Sequence, residues 1–185
     1  MRHYFSATLF AVVFFACTTE KPQDNLTVVA KDVQNYWTAF DLATATTHSS
    51  TQADILEREF FGPGSPGLAA IMKARRYTKE EYRLSINGFP KFWASMRTNM
   101  LSAPKYADRV KQGAAQFFDI YPQQLPVEIY FTVGCFRTNG TIMDSLMLIG
   151  TELALAGLVF FIAQRLAGIS GAIHCRNRCF SMAGE

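Results

Sequence analysis

The sequence predicts an α+β domain, in which a group of amphipathic helices is followed by a small antiparallel β-hairpin or sheet and a C-terminal apolar helix. Two observations carry this. Between Leu26 and Tyr121 apolar residues recur at helical spacing, whereas Val127, Ile129, Phe131 and Val133 alternate with Glu128, Tyr130 and Thr132, the period of a strand with one buried face. Leu146 to Ile149 is a second short apolar run. Between the two lies GCFRTNGTIMD, with Gly134 and the Asn139-Gly140 pair, which reads as a polar connection joining two strands.

The helices follow in order. From Leu26 onward, Val29, Val33, Tyr36, Trp37 and Phe40 fall at i, i+4, i+7, i+8 and i+11, one face of a helix. The TATTHSST cluster ends it, and Ser49 or Ser50 is placed to cap a helix through Ile55, Leu56, Phe60 and Phe61, closed by Gly62. Ser65-Pro66 supplies an N-cap and a first-turn proline for a short helix over Leu68, Ile71 and Met72, with Arg75 and Arg76 at its end. Thr78-Lys79-Glu80-Glu81 has the form of a capping box. Gly88-Phe89-Pro90 interrupts that helix and restarts the pattern, with Phe92, Trp93, Met96 and Met100 on the next apolar face. From Pro104, Tyr106, Val110, Ala114, Phe117 and Tyr121 form the last stripe before Pro122.

A chain of 185 residues with 18% charged residues, a net charge of +3 and sixteen Phe suits one globular domain with an aromatic interior. That balance is not basic enough to argue for nucleic acid. The N-terminus reads as an export signal: Arg2 and His3 precede an apolar run from Phe5 to Ala16, too short for a bilayer span of about 20 residues. Ala16-Cys17 resembles a bacterial lipobox, although Phe14 and Phe15 are bulkier than its usual residues; an ordinary signal cut near Ala16 is the alternative. The expected organisation is a signal over residues 1–17, a linker over 18–25, one domain over 26–157 and an atypical tail over 158–185. The expected address is the cell envelope, with the protein held on a membrane by lipid on Cys17.

Candidate chemistry is sparse. His48 lies in a Thr/Ser linker, where an idle surface imidazole is the plain interpretation. His174, Cys175 and Cys179 have no fourth ligand nearby for a structural zinc, and with Cys17 lipidated the three remaining cysteines imply no disulfide framework. Trp37, Phe40, Phe92, Trp93 and Phe117 sit at helical spacing and read as core rather than a ligand cage, with Phe118 just off the stripe. KARRYTKEEYR mixes both signs of charge and reads as a solvated helix junction. GPGSPG lacks the G-K-[ST] ending of a phosphate loop.

NYWTAFD, GSPGLAAIMKARRYT, FPKFWASMR and PVEIYFTVGCFRTNGTIMDSLMLIGTELALAG together resemble a family of predicted zinc-dependent proteases, exported bacterial proteins that are often lipoproteins. The resemblance spans about Asn35 to Gly157, and its most specific part is IYFTVG, a glycine-containing loop and LIGTE in that order. It implies a zincin-like arrangement leading into a helix with H-E-x-x-H, whose two histidines bind zinc while the Glu activates a water. No H-E-x-x-H occurs in this sequence, so no catalytic residue, metal ligand or cofactor is assigned; zinc is expected only for a full-length member of the family.

The expectation is therefore a truncated N-terminal part of a metallopeptidase, inactive as a peptidase. A non-catalytic envelope lipoprotein is the alternative, binding a peptide or protein partner by strand addition at an exposed edge carrying Tyr130 and Thr132 or Met147 and Ile149. Three explanations compete for the tail after Gly157: a frameshifted end, a membrane anchor interrupted by Gln164 and Arg165, or a terminal helix with Leu155, Leu158, Phe161, Ile162 and Leu166 on one side.

Overall fold

A computed structural model of the chain describes residues 26–121 and 128–156. The expected signal and spacer, with Cys17, lie outside the described residues, as do the expected C-terminal helix and His174, Cys175 and Cys179. Within them the fold is α+β: one strand, then a run of six helices, then three more strands, the four strands forming one small sheet packed into one core.

The described residues open on a strand, where a helix is expected. Thr27–Val29 forms β1, because three successive residues, all β-branched, fit a pleated ladder better than a helical turn. Helix α1, Lys31–Thr44, then buries Val33, Tyr36, Trp37 and Phe40, the face read from the sequence. Helix α2, Ser49–Leu56, has His48 at its N-cap position and no side-chain cap, so neither Ser49 nor Ser50 takes that role. It runs on into a π-helical turn over Glu57–Phe61, closed by Gly62 N–H donating to Glu57 O at 2.8 Å. The wider turn sets Phe60 and Phe61 side by side, 5.4 and 5.3 Å from the Tyr82 ring.

Ser65 caps α3, Pro66–Arg75, by accepting from Leu68 N–H at 3.2 Å. Its own N–H and hydroxyl donate to the buried Asp32 at 2.8 and 2.5 Å, which ties the start of α3 to the first turn of α1. Thr78 and Glu81 form the expected capping box at the start of α4, Lys79–Gly88. Pro90–Leu101 is α5, whose Trp93 donates through Nε1 to Ser85 O at 3.1 Å. Around Tyr36 the rings of Trp93, Phe60 and Trp37 lie 4.7, 5.4 and 5.5 Å away, so the aromatic residues of α1 and α5 are core, as the spacing implied. Helix α6, Ala103–Ile120, departs from its expected stripe: among its described side chains Ala103 and Ala107 are the buried ones, while Phe117 and, just beyond the helix, Tyr121 are 46% and 59% exposed and stack on each other. No helix among the described residues is long and apolar enough to cross a membrane.

The remaining strands are β2, Glu128–Thr132, β3, Thr141–Met143, and β4, Leu146–Gly150, in the order β1-β2-β4-β3. The two main strands are parallel neighbours, with Tyr130 opposite Leu148, and not the antiparallel hairpin expected. The polar connection is long enough to carry the chain back, and β3 makes that return, antiparallel to β4 with Ile142 opposite Met147. The true hairpin is β3–β4, turned at Asp144 in the left-handed region with φ 54°. This topology also corrects the proposed edge. Among the described residues β1 and β3 are the outer strands: Tyr130 on β2 and Met147 on β4 have a paired strand on each side, while Thr132 and Ile149 lie on the same interior strands beyond the ends of β1 and β3 and pair only across β2–β4.

Helix α3 lies on the sheet through Gly67, where an added Cβ would fall 2.2 Å from Tyr130 Cγ and 2.3 Å from its Cβ. Those atoms are anchored to β2 and cannot swing aside. Gly67→Ala is expected to destabilise the domain by about 3 kcal/mol, read as a lower urea midpoint at unchanged m-value; an unshifted midpoint would refute this packing.

Candidate functional site: a buried carboxylate in a backbone nest

The stretch most specific to the resemblance closes on itself. After β2 the chain turns through Val133 to Gly140, and Cys135 and Phe136 both adopt positive φ, 49° and 62°. Consecutive left-handed residues aim backbone N–H groups into one concavity, a nest that suits an anion. Glu152, in the single turn α7 over Thr151–Ala154, fills it. Gly134 N–H donates to both carboxylate oxygens at 3.1 and 3.0 Å, and Phe136 N–H donates to Oε1 at 2.9 Å.

Each left-handed non-glycine residue costs about 1 kcal/mol or more, so something must hold the loop in this shape. The Phe136 ring does so on one side, lying 4.5 Å from Phe92, 4.6 Å from Trp93 and 5.5 Å from Phe89. The charged helix junction does so on the other. Arg75 Nη2 donates to Thr138 Oγ1 at 3.1 Å and to Gly140 O at 3.3 Å, while Arg137 pairs with Glu81 at 2.7 Å and donates to Arg75 O at 3.0 Å. KARRYTKEEYR is thus more than solvated surface, for two of its charged side chains and one of its carbonyls seat the loop. Gly134 and Gly150 allow the closest approach: a Cβ on Gly150 would sit 2.0 Å from Thr138 O.

Glu152 is fully buried. Burial raises its pKa and outweighs the bonds from Gly134 and Phe136, so the group is pushed up to about 7. Burial raises the pKa of the phenols of Tyr36, Tyr77 and Tyr82, and the charge of Glu152 helps to raise each further, so their ionisation is suppressed. Tyr82 Oη donates to Val133 O at 2.8 Å, another strut under the same loop. The arrangement is an anion site satisfied from within the chain.

Of the residues singled out in the sequence, Tyr130, Thr132, Met147 and Ile149 frame this loop from the two strands that flank it. Thr132 Oγ1 donates to Val133 O at 3.4 Å where the loop begins, and the Tyr130 hydroxyl bonds to Glu128. Glu152 itself escaped the sequence reading, although one signal marked it: it is the lone charged residue between Asp144 and Arg165. Such a residue inside an apolar run must find partners.

As to zinc, no three His, Cys, Asp or Glu side chains come together among the described residues, so they do not fit the ligand set that the resembled family implies. Among the described residues the chain is an α+β domain in which its own carboxylate occupies the backbone nest. No protein-family model, curated protein or solved structure matches it.

Proposed function

We propose that residues 26–156 are the N-terminal, metal-free part of a zinc-dependent peptidase of the exported lipoprotein type, a scaffold with no peptidase activity of its own. The observation that supports this is the unity of the resembling stretch. IYFTVG, the glycine-containing loop and LIGTE form two adjacent parallel strands, with the loop between them pinned by the Glu of LIGTE. In this reading Cys17 bears the lipid that tethers the chain to a membrane face, and the metal-binding helix belongs to a segment that would follow the sheet.

The test is the nucleotide sequence after codon 157, read in the other two frames. An H-E-x-x-H within about a hundred codons is the expected result; clean non-coding sequence would sink the proposal. Strand addition by a peptide at Tyr130 or Met147 is not carried forward, because both strands are interior.

A further inference from the structure

A cleft opens beside the π-helical turn. Its volume is about 200 Å³, with Phe61 forming one wall and Ser65, Leu68, Ala69 and Met72 the other. These four fall at i, i+3, i+4 and i+7, one side of α3 counted from its cap, with Gly67, which meets the sheet, on the opposite side. Two features keep the cleft open. The wider turn carries Phe61 outward, half-buried, while Phe60 stays in the core, and Ala69 is too short to close the gap.

Lys79 stands at the mouth. Its ammonium lies 5.3 Å from the centre of the Phe61 ring and 2.5 Å from a Glu57 carboxylate oxygen. The two charged side chains are 57% and 55% exposed, so water already competes for their ion pair and a second carboxylate can take the place of Glu57 at small cost. Among the described lining residues Lys79 carries the one charge, and the Ser65 hydroxyl is already committed to Asp32 and to Leu68 N–H. We propose that the cleft binds a small apolar carboxylate, with its hydrocarbon group between Phe61 and the Leu68–Met72 face and its carboxylate on Lys79 Nζ.

Size and polarity together set that class. At about 200 Å³ the cleft is smaller than the roughly 300–1,000 Å³ of sites for drug-sized ligands, so it suits one short aliphatic or aromatic group. An apolar wall with a single cation at its rim repels a cationic ligand and gives a neutral one no charge-assisted bond. The same chemistry occurs in a free short-chain acid and at the C-terminus of a peptide ending in an apolar residue. The proposal does not rest on the peptidase reading, since none of these residues belongs to the sheet or to the loop pinned by Glu152.

The test is an NMR titration of the isotope-labelled full chain with two probes, hexanoate for the free acid and N-acetyl-leucinate for the peptide end. Saturating shifts centred on the backbone amides of Phe61, Leu68, Ala69 and Met72 are expected with one or both, at a Kd on the order of a millimolar. Whichever binds more tightly identifies the source. Hexanol and N-acetyl-leucinamide should bind about fivefold more weakly, and Lys79→Met should weaken the acids by the same factor while leaving hexanol unchanged. Glu57→Gln removes the competing carboxylate and should tighten the acids about twofold. Ala69→Phe, at an exposed helix position, should fill the cleft and abolish binding of every probe without lowering the melting temperature. The proposal is overturned by an absence of saturating shifts at about ten millimolar, by shifts centred elsewhere, or by neutral probes that bind as tightly as the acids. Acid binding that survives Lys79→Met or Ala69→Phe unchanged overturns it as well.

Discussion

Glu152→Ala is expected to lower the stability of the domain by about 3–5 kcal/mol, the cost of leaving buried amides without an acceptor and opening a cavity. Gly134 and Phe136 would lose their acceptor, and the left-handed pair Cys135-Phe136 would lose the contact that holds it. Glu152→Gln separates charge from geometry, since its carbonyl oxygen still accepts from both amides. The pH dependence distinguishes them. The folded-state pKa is raised from 4.5 to about 7, so the folded chain binds the proton more tightly than the unfolded one. Glu152's favourable contribution is therefore fully present below pH 4.5 and is lost as pH rises through 7, a fall of about 3 kcal/mol.

Asp32, also raised by burial, adds a slope of the same sign that its bonds from Ser65 reduce. Urea midpoints at pH 4.5 and 7.5 should therefore differ clearly in the native chain and much less in Glu152→Gln. An equal slope in both would show that Glu152 is not the group that titrates.

Gly150→Ala carries the second large expected effect, about 3 kcal/mol or more, because the new methyl would meet the Thr138 carbonyl oxygen at 2.0 Å. That oxygen belongs to the backbone of the pinned loop, so the loop must move. Movement there pulls Gly134 and Phe136 off the carboxylate, and the variant should shed part of the pH dependence along with its stability. An unfolding free energy within about 0.5 kcal/mol of the native chain's would show that the loop yields freely.

Where local chemistry decides the conformation, the fold was legible: Ser65-Pro66, the Thr78–Glu81 box and the Gly88-Phe89-Pro90 break all act within a few residues. Strand direction was not legible, because a period of two is the same in parallel and antiparallel pairs. The deciding element was β3, whose three residues Thr141–Met143 are too few for periodicity to register. β1 was hidden for the same reason, its Val29 serving equally well as the start of the α1 pattern. The stripe on α6 was read correctly as a pattern and wrongly as a burial, since spacing says which residues share a face and nothing about what lies opposite. Glu152 was quoted within LIGTE, yet its role depends on amides sixteen and eighteen residues away in the chain, and only the folded loop brings them to it.

The pairing of β1 with β2 has a kinetic side. Thr27 meets Glu128 across about a hundred residues, and closing so long a loop costs roughly 4 kcal/mol of chain entropy before three short rungs begin to repay it. β2, β4 and β3 are close together in the chain and need no such closure. The sheet should therefore assemble from its C-terminal strands, with β1 docking last and detaching first, so that the segment nearest the N-terminus is the last part of this domain to become native.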